Sequence, residues 1–448
     1  MLNKYKMFTR EEQNEIKNKF YFVDKDISGN YRLYFNNSGG SFRLKRAEEK
    51  FHEVDAIPDC AGQPYSVSQY LLETEQKGKE DVRIIFNAQG GAVYPGYTAS
   101  QVMFELVRVI SEHAAGSNMV TSMLEHPSVF DAVSHYAEKT QCELRVADAD
   151  PLTGGVDADA ILSLIDKNTA LLCVMAASNI SGYIYDIKKI VTQAKAINPD
   201  IYIIVDAVQH APHGVLDISG LNIDAINFAP YKFFGVKGAG FAFISDRAAG
   251  LVHHKLKGKP DADWELGTPT PAHYAALSEV VDYICRLGQK GTDSEDISSK
   301  ANRRTLFAAG MDRIAEHERG LLHLLLNGTE KVQGLRAMQG VTVCVDNGDL
   351  SRRNLITGIV FDDLNCTDAV REFAKRNVIV HERAVSSLYS QRILTSYGLN
   401  SLIRVSPLHC HSQEDIEAFL QITRDIIAEG RTGSSSDLSM TEIIKCIE

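Results

Sequence analysis

Short apolar runs that end in polar residues punctuate the chain, and from Asp81 onward they alternate with stretches of helical period. The pattern predicts strands at Arg83 to Phe86, Met119 to Met123, Glu143 to Ala147, Ala170 to Met175 and Ile201 to Val205. It predicts helices at Thr98 to His113, Pro127 to Thr140, Asp157 to Ile165 and Ile187 to Ile197. Strands separated by helices of this length imply a mostly parallel sheet with helices on both faces. Ahead of this region, residues 1–30 read as helical and charged, and Tyr31 to Phe35 as a short strand running into Asn36 to Gly40, NNSGG.

A long helical stretch follows, Pro271 to Leu287 and then Arg303 to Leu326, where Ile314, Leu321, Leu322 and Leu325 share one face. The pattern then changes. Val341 to Val345, Ile356 to Phe361, Val378 to His381 and Leu402 to Ser406 read as strands. Thr367 to Arg376 and Gln413 to Ile427 read as helices. The expected organisation is an N-terminal segment, 1–40, packing with the small domain, a large α/β domain over 41–310, a smaller α+β domain over 311–430, and a tail at 431–448. The run from Gly430 to Ser439 has flexible-linker composition, with room for a short helix after it.

Composition narrows the class. With 448 residues, 44% of them hydrophobic, the chain can bury two or three substantial cores. A net charge of -11 argues against nucleic acid as a partner, because phosphate binding needs a basic face. No apolar run approaches the roughly 18 residues of a membrane span. The charged N-terminus shows no signal-peptide core. The eight cysteines form no C-x-x-C pair and read as reduced thiols of a cytoplasmic protein, with no metal site expected.

The segment with the most chemistry is Ile201 to Gly240. One apolar run delivers Asp206, and a second, Ala225 to Ala229, delivers Tyr231 and Lys232. Both groups therefore emerge at the ends of buried strands, where open α/β sheets build their sites. An acid and a lysine so placed suit pyridoxal 5'-phosphate. The amine can form a Schiff base with the cofactor aldehyde, and the acid can keep the pyridine nitrogen protonated. The glycines at 235, 238 and 240 follow the lysine in the wrong order for a dinucleotide fingerprint and read as a close-packed turn.

The order of these features over roughly residues 30–428 resembles the class V aminotransferase family, which includes cysteine desulfurases and C–S lyases. The resemblance implies a fold-type I architecture, with a seven-stranded-type, mostly parallel sheet and a smaller C-terminal domain. It implies that Lys232 carries the cofactor, Asp206 pairs with its ring nitrogen and Gln209 bonds its phenolic oxygen. Glu125-His126-Pro127-Ser128 resembles the segment whose histidine stacks on the ring and assists proton transfer. Tyr97 and Thr98 open a helix after a glycine-rich loop, as a phosphate cradle does. Asn179 would sit against the phenolic oxygen or the substrate carboxylate. Glu265-Leu266-Gly267-Thr268-Pro269 resembles a segment whose Gly-Thr reaches the phosphate of a neighbouring subunit, implying a homodimer with shared sites. Arg404 would clamp the substrate α-carboxylate. Arg383 falls where a second substrate-side arginine is expected, and Asn37, within NNSGG, is expected beside the substrate.

Two departures from the family bear on the reaction. Desulfurases place Ser and His before the lysine, whereas this chain has Ala229-Pro230-Tyr231-Lys232, with the Tyr231 phenol left to reach the phosphate. In one large desulfurase group a cysteine that accepts sulfur precedes the carboxylate-binding arginine. The corresponding stretch here, His381 to Arg392, has none. The expected function is a lyase that eliminates a β-leaving group from an amino acid without an enzyme persulfide. Transamination, epimerisation and desulfuration through a non-standard cysteine remain open alternatives, because all need the same surrounding residues.

Overall fold

The computed structural model describes residues 5–268, 270–290 and 300–432. A short strand, β1 (Leu33–Tyr34), precedes the main sheet. That sheet contains β2 (Ala92–Gly96), β3 (Asn118–Ser122), β4 (Glu143–Ala147), β5 (Thr169–Met175), β6 (Tyr202–Asp206), β7 (Ala225–Phe228) and β8 (Gly240–Ile244). Its order is β2-β8-β7-β6-β5-β3-β4, and β8 alone runs antiparallel to its neighbours. Central strands of such a sheet are covered on both faces, so they read as continuous apolar runs rather than alternating ones. In β5 and β6, Leu172, Val174, Ile203 and Val205 enter one buried layer, while Leu171, Cys173 and Ile204 enter the opposite one. Alternate side chains therefore serve two cores, which is what layers on both faces require.

A second sheet has the order β12-β13-β10-β9, built from β9 (Val341–Cys344), β10 (Thr357–Phe361), β12 (His381–Ala384) and β13 (Ser401–Val405), with every pairing antiparallel. Between β10 and β12 lies β11 (Val378–Ile379), which pairs parallel with β1. A further parallel bridge, Asn36 to Ser406, continues the contact. The N-terminal segment is thus stitched to the C-terminal sheet, and Leu33 and Phe35 join its apolar core. No helix among the described residues is long and apolar enough to cross a membrane.

Three expectations are corrected. Arg83 to Phe86 is not a strand but the last turn of helix Ser66–Phe86, which ends at Asn87 in the left-handed conformation. The helical period starts well before Asp81, and a four-residue apolar window is too short to reveal it. Residues 1–30 are not helical throughout. The helix is Arg10–Asn18, and beyond it Asp26 accepts from the Ser28 and Asn30 amides to form a turn. Val378 to His381 is not one strand, because β11 and β12 pair with different partners. The apolar pattern does not reveal strands β2 and β8. Pro95 and the flanking glycines hide β2, which tolerates proline because it lies on the edge. Most of the expected tail, from 433, lies outside the described residues, as does Pro269.

Candidate functional site

The ends of β5, β6 and β7 lie level, with Met175 opposite Asp206 and Asp206 opposite Asn227. The chain leaves β7 into a single 3-10 turn, Pro230–Lys232, which turns Lys232 back over the sheet edge. The turn is locked from outside. The Tyr231 carbonyl accepts from the Ser41 amide and from Arg43 at 2.7 Å. Two residues on, Phe234 sits at φ 64, an unfavourable conformation for a bulky side chain. It is held there by its N–H to the Ser41 hydroxyl at 3.1 Å and by its carbonyl, which accepts from the Leu44 amide.

Lys232 opens into a cavity of about 180 Å³. The wall brings together Thr98, Ser100, His126, Asn179, Asp206, Gln209, Tyr231 and Lys232. Lys232 is 8% exposed, and its amine reaches Gln209 Oε1 at 3.5 Å. Burial and the charge of Arg404, with a smaller contribution from Arg383, push it down to about 8, against the opposing pull of Asp206. Asp206 accepts from the Val208 amide at 2.9 Å through one oxygen, and its other oxygen has no donor among the described residues. Burial raises this carboxyl, and the Val208 amide and Lys232 offset the rise.

Thr98 caps helix Ala99–His113, its hydroxyl accepting from the Gln101 amide at 3.0 Å. Asn227 of β7 donates to the Ala99 carbonyl, fixing this helix start against the sheet. A Cβ on Gly240 would lie 2.2 Å from the Ala99 nitrogen, so only glycine allows β8 to pass so close. First-turn amides at a helix start, beside the Thr98 and Ser100 hydroxyls, suit a dianion.

His126 caps helix Pro127–Thr140, and its Nδ1 accepts from the Ser128 amide at 3.2 Å. That bond places the proton of the neutral ring on Nε2. Burial, helped by Lys232, Arg383 and Arg392, lowers the imidazole to about 3, so it stays neutral in ordinary buffers. Asn179 contributes a buried Oδ1 with no partner among the described residues, and its carbonyl accepts from Arg404 at 3.1 Å. The second terminal nitrogen of Arg404 donates to Asn36 Oδ1 at 2.9 Å. Arg383 donates to the Tyr389 carbonyl at 2.7 Å.

Some expected residues take other places. Asn37 is buried and gives its amide to the Tyr34 and Ser406 carbonyls, while Asn36 turns to Arg404. The pairing of Asn36 with Ser406 sets which of the two asparagines faces the arginine, and the sequence carries no sign of that register. Tyr97, 78% exposed, and exposed Thr268 lie outside the cavity of a single chain. Two residues were missed. Glu125 is fully buried, accepts from the Ser122 hydroxyl at 2.6 Å, and is pushed up to about 8 by burial and the nearby Asp206. It therefore stays protonated at neutral pH and adds no second negative charge there. Arg392, on the helix Gln391–Ser396 between β12 and β13, donates to the Met123 and Glu125 carbonyls and lies 3.9 Å over the Phe130 ring, tying the C-terminal part to the His126 turn.

The cavity thus offers a helix start for a dianion, a carboxylate with a free oxygen, neutral hydrogen-bonding groups and a poised amine. Residues 63–306 match the family model described as aminotransferase class-V. The chain is 27% identical to a probable cysteine desulfurase of Mycoplasma genitalium over 50% of this chain and 56% of that protein. It is 22% identical to a probable cysteine desulfurase of Borreliella burgdorferi over 94% and 97% of the two chains. Two solved structures share the fold. A cysteine desulfurase from Thermococcus onnurineus NA1 superposes with a TM-score of 0.72 at 19% identity, covering 89% of this chain and 95% of that one. The cysteine desulfurase CsdA from Escherichia coli superposes at 0.75 and 16%, covering 94% and 99%.

Proposed function

We propose that this chain, which belongs to the class-V aminotransferase family, is a pyridoxal-phosphate enzyme that breaks the C–S bond of a cysteine-like amino acid by β-elimination, without an enzyme persulfide. The observation that carries the cofactor reading is the buried Lys232 amine beside Asp206, at the ends of β6 and β7 in one cavity. The orphaned Asn179 Oδ1 and the unpaired Asp206 oxygen are what a ring with one acidic hydroxyl and one N–H would satisfy. Thr98, Ser100 and the first-turn amides would hold the phosphate, and the Tyr231 phenol would assist them. His126, Asn179 and Gln209 would flank the ring. Thr268 and Tyr97, exposed on one chain, would complete the site of a second copy in a homodimer.

Bound there, the group supplies an electrophilic carbonyl and a ring that accepts electrons from the substrate α-carbon. Lys232 does the proton work. Its buried amine, whose charge the surroundings disfavour, would accept the α-proton and pass it to the departing sulfur. The Cα–H and Cβ–S bonds break, a Cα–Cβ double bond forms, and sulfur leaves with its bonding pair. Hydrolysis of the remaining amino acid fragment gives pyruvate and ammonia. With the group bound, Asp206 would favour a protonated ring nitrogen, and neutral His126 would contribute no competing charge. No thiol among the described residues lines the cavity. Burial raises Cys173, Cys366 and Cys410 and pushes Cys285 and Cys344 up to about 12, so these are poor nucleophiles.

Single-turnover reactions with cysteine, cystine and cysteine S-conjugates test the reading. Pyruvate and ammonia are expected, with sulfur released to solution and no iodoacetamide-trapped persulfide on any cysteine, Cys446 included. Conversion of the cofactor to its amine form by another amino acid, with no pyruvate from these three, would replace elimination with transamination.

The Lys232 shift also sets a pH dependence. Only the neutral amine can take up the cofactor, so uptake by the apoenzyme is expected to quicken about tenfold per pH unit below about 8 and to level off above it. An ordinary lysine would keep accelerating towards about pH 10. Stopped-flow absorbance of apoenzyme mixed with pyridoxal phosphate separates the two curves.

A further inference from the structure

Arg383 and Arg404 leave β12 and β13 on the same face. His381 pairs with Arg404 and Arg383 with Leu402, which makes the arginines diagonal neighbours, about 7–8 Å apart between Cα atoms in antiparallel geometry. They are 8% and 2% exposed. The other buried arginines among the described residues carry a carboxylate: Arg303 is paired with Asp81 at 2.6 Å and Arg353 with Asp346 at 2.5 Å. Arg383 and Arg404 have no such partner among the described residues. Arg404 spends both terminal nitrogens on neutral oxygens, those of Asn179 and Asn36, and its Nε has no partner. Arg383 donates to the Tyr389 carbonyl, and its Nε is also without a partner. The buried acids of the site form no ion pair with either arginine: Asp206 accepts from the Val208 amide and Glu125 from the Ser122 hydroxyl. A buried guanidinium without an anion is costly, and two side by side repel each other.

One α-carboxylate can neutralise only one of them. We infer that the substrate is an amino acid with a second anionic group on its side chain, held by Arg383 while Arg404 holds the α-carboxylate. This rests on the cofactor reading of Lys232 and narrows its cysteine-like substrates to those with an anionic side chain, such as a cysteine S-conjugate whose S-substituent carries a carboxylate. Aspartate and glutamate serve as non-eliminating binding probes. A β- or γ-acidic side chain places its charge a few bonds from the α-carboxylate, within the span of two long arginines on adjacent strands. Guanidinium suits both contacts because its fork grips a carboxylate or another oxyanion with paired hydrogen bonds.

Spectral titration of the yellow holoenzyme with aspartate against asparagine, and with glutamate against glutamine, tests this directly. Each pair differs in charge and hardly in shape. At least one acid is expected to bind at least tenfold more tightly than its amide. Arg383→Gln should erase that preference by weakening the acid and leaving the amide unchanged, with Arg383→Lys retaining part of it. Amides that bind as tightly as acids in the native enzyme would overturn the inference, and that comparison needs no variant. Equal weakening of acid and amide by Arg383→Gln would overturn it too, since Arg383 would then only anchor the Tyr389 loop. A yellow protein that ignores all four amino acids sinks the acidic class but leaves the cofactor reading standing. A protein that takes up no pyridoxal phosphate sinks both.

Discussion

Lys232→Ala is expected to lower turnover at least about 10³-fold, because on the proposed function it removes at once the amine that would hold the cofactor and the base that would move the α-proton. The variant should also lose the absorbance near 420 nm that marks the lysine-linked cofactor. Folding should survive. The native amine is buried beside Arg404 and Arg383, and it is lowered to about 8 because that environment disfavours its charge. Removing it relieves a strained site rather than breaking a stabilising pair, so the melting temperature of the apoenzyme should hold or rise. Kinetics and circular dichroism on the same preparation separate a chemical defect from a folding one. Residual activity above about a tenth of native would mean that another group moves the proton.

Asp206→Asn is the second large effect. The native carboxylate sits at the end of β6 with one oxygen on the Val208 amide and the other unpaired. A carboxylate there favours a protonated ring nitrogen, whereas an amide of the same shape cannot. Loss of such a preorganised charge costs about 10²–10³ in kcat. The fall should appear mainly in kcat, since the proposed carboxylate clamp, Arg404, is untouched. Asp206→Glu should recover part of the loss. A change of less than about tenfold in kcat for the asparagine variant would remove Asp206 from this role.

How much of this was legible in the sequence depends on how local each feature is. Helices Pro127–Thr140 and Ile187–Ile197 and strand β4 fall at the expected bounds, because each carries its own period and boundary residues. Lys232 and Asp206 were legible because long buried strands deliver them, and strand ends in open sheets fix where side chains emerge. Helix Ser66–Phe86 escaped because the apolar run Ile84 to Phe86 lies in its last turn and by itself reads as a strand. Strands β2 and β8 escaped because Pro95, Gly96 and Gly240 break the pattern while serving an edge position and a close backbone approach. At the site, the assignment of Asn37 rather than Asn36 shows the limit of reading along the chain. Which asparagine faces Arg404 depends on a register with Ser406, far away in sequence. Glu125 and Arg392 were hidden for a related reason. The role of Glu125 depends on complete burial near Asp206, and that of Arg392 on backbone carbonyls in another layer of the fold.

The central claim is that this cavity binds pyridoxal phosphate through Lys232. Borohydride reduction of the yellow enzyme, followed by digestion and peptide mass spectrometry, tests it most directly. The account predicts one phosphopyridoxyl mass increment, on the peptide containing Lys232 and at that residue. An increment on a different lysine, or an unmodified Lys232 peptide from fully reduced yellow protein, would contradict it.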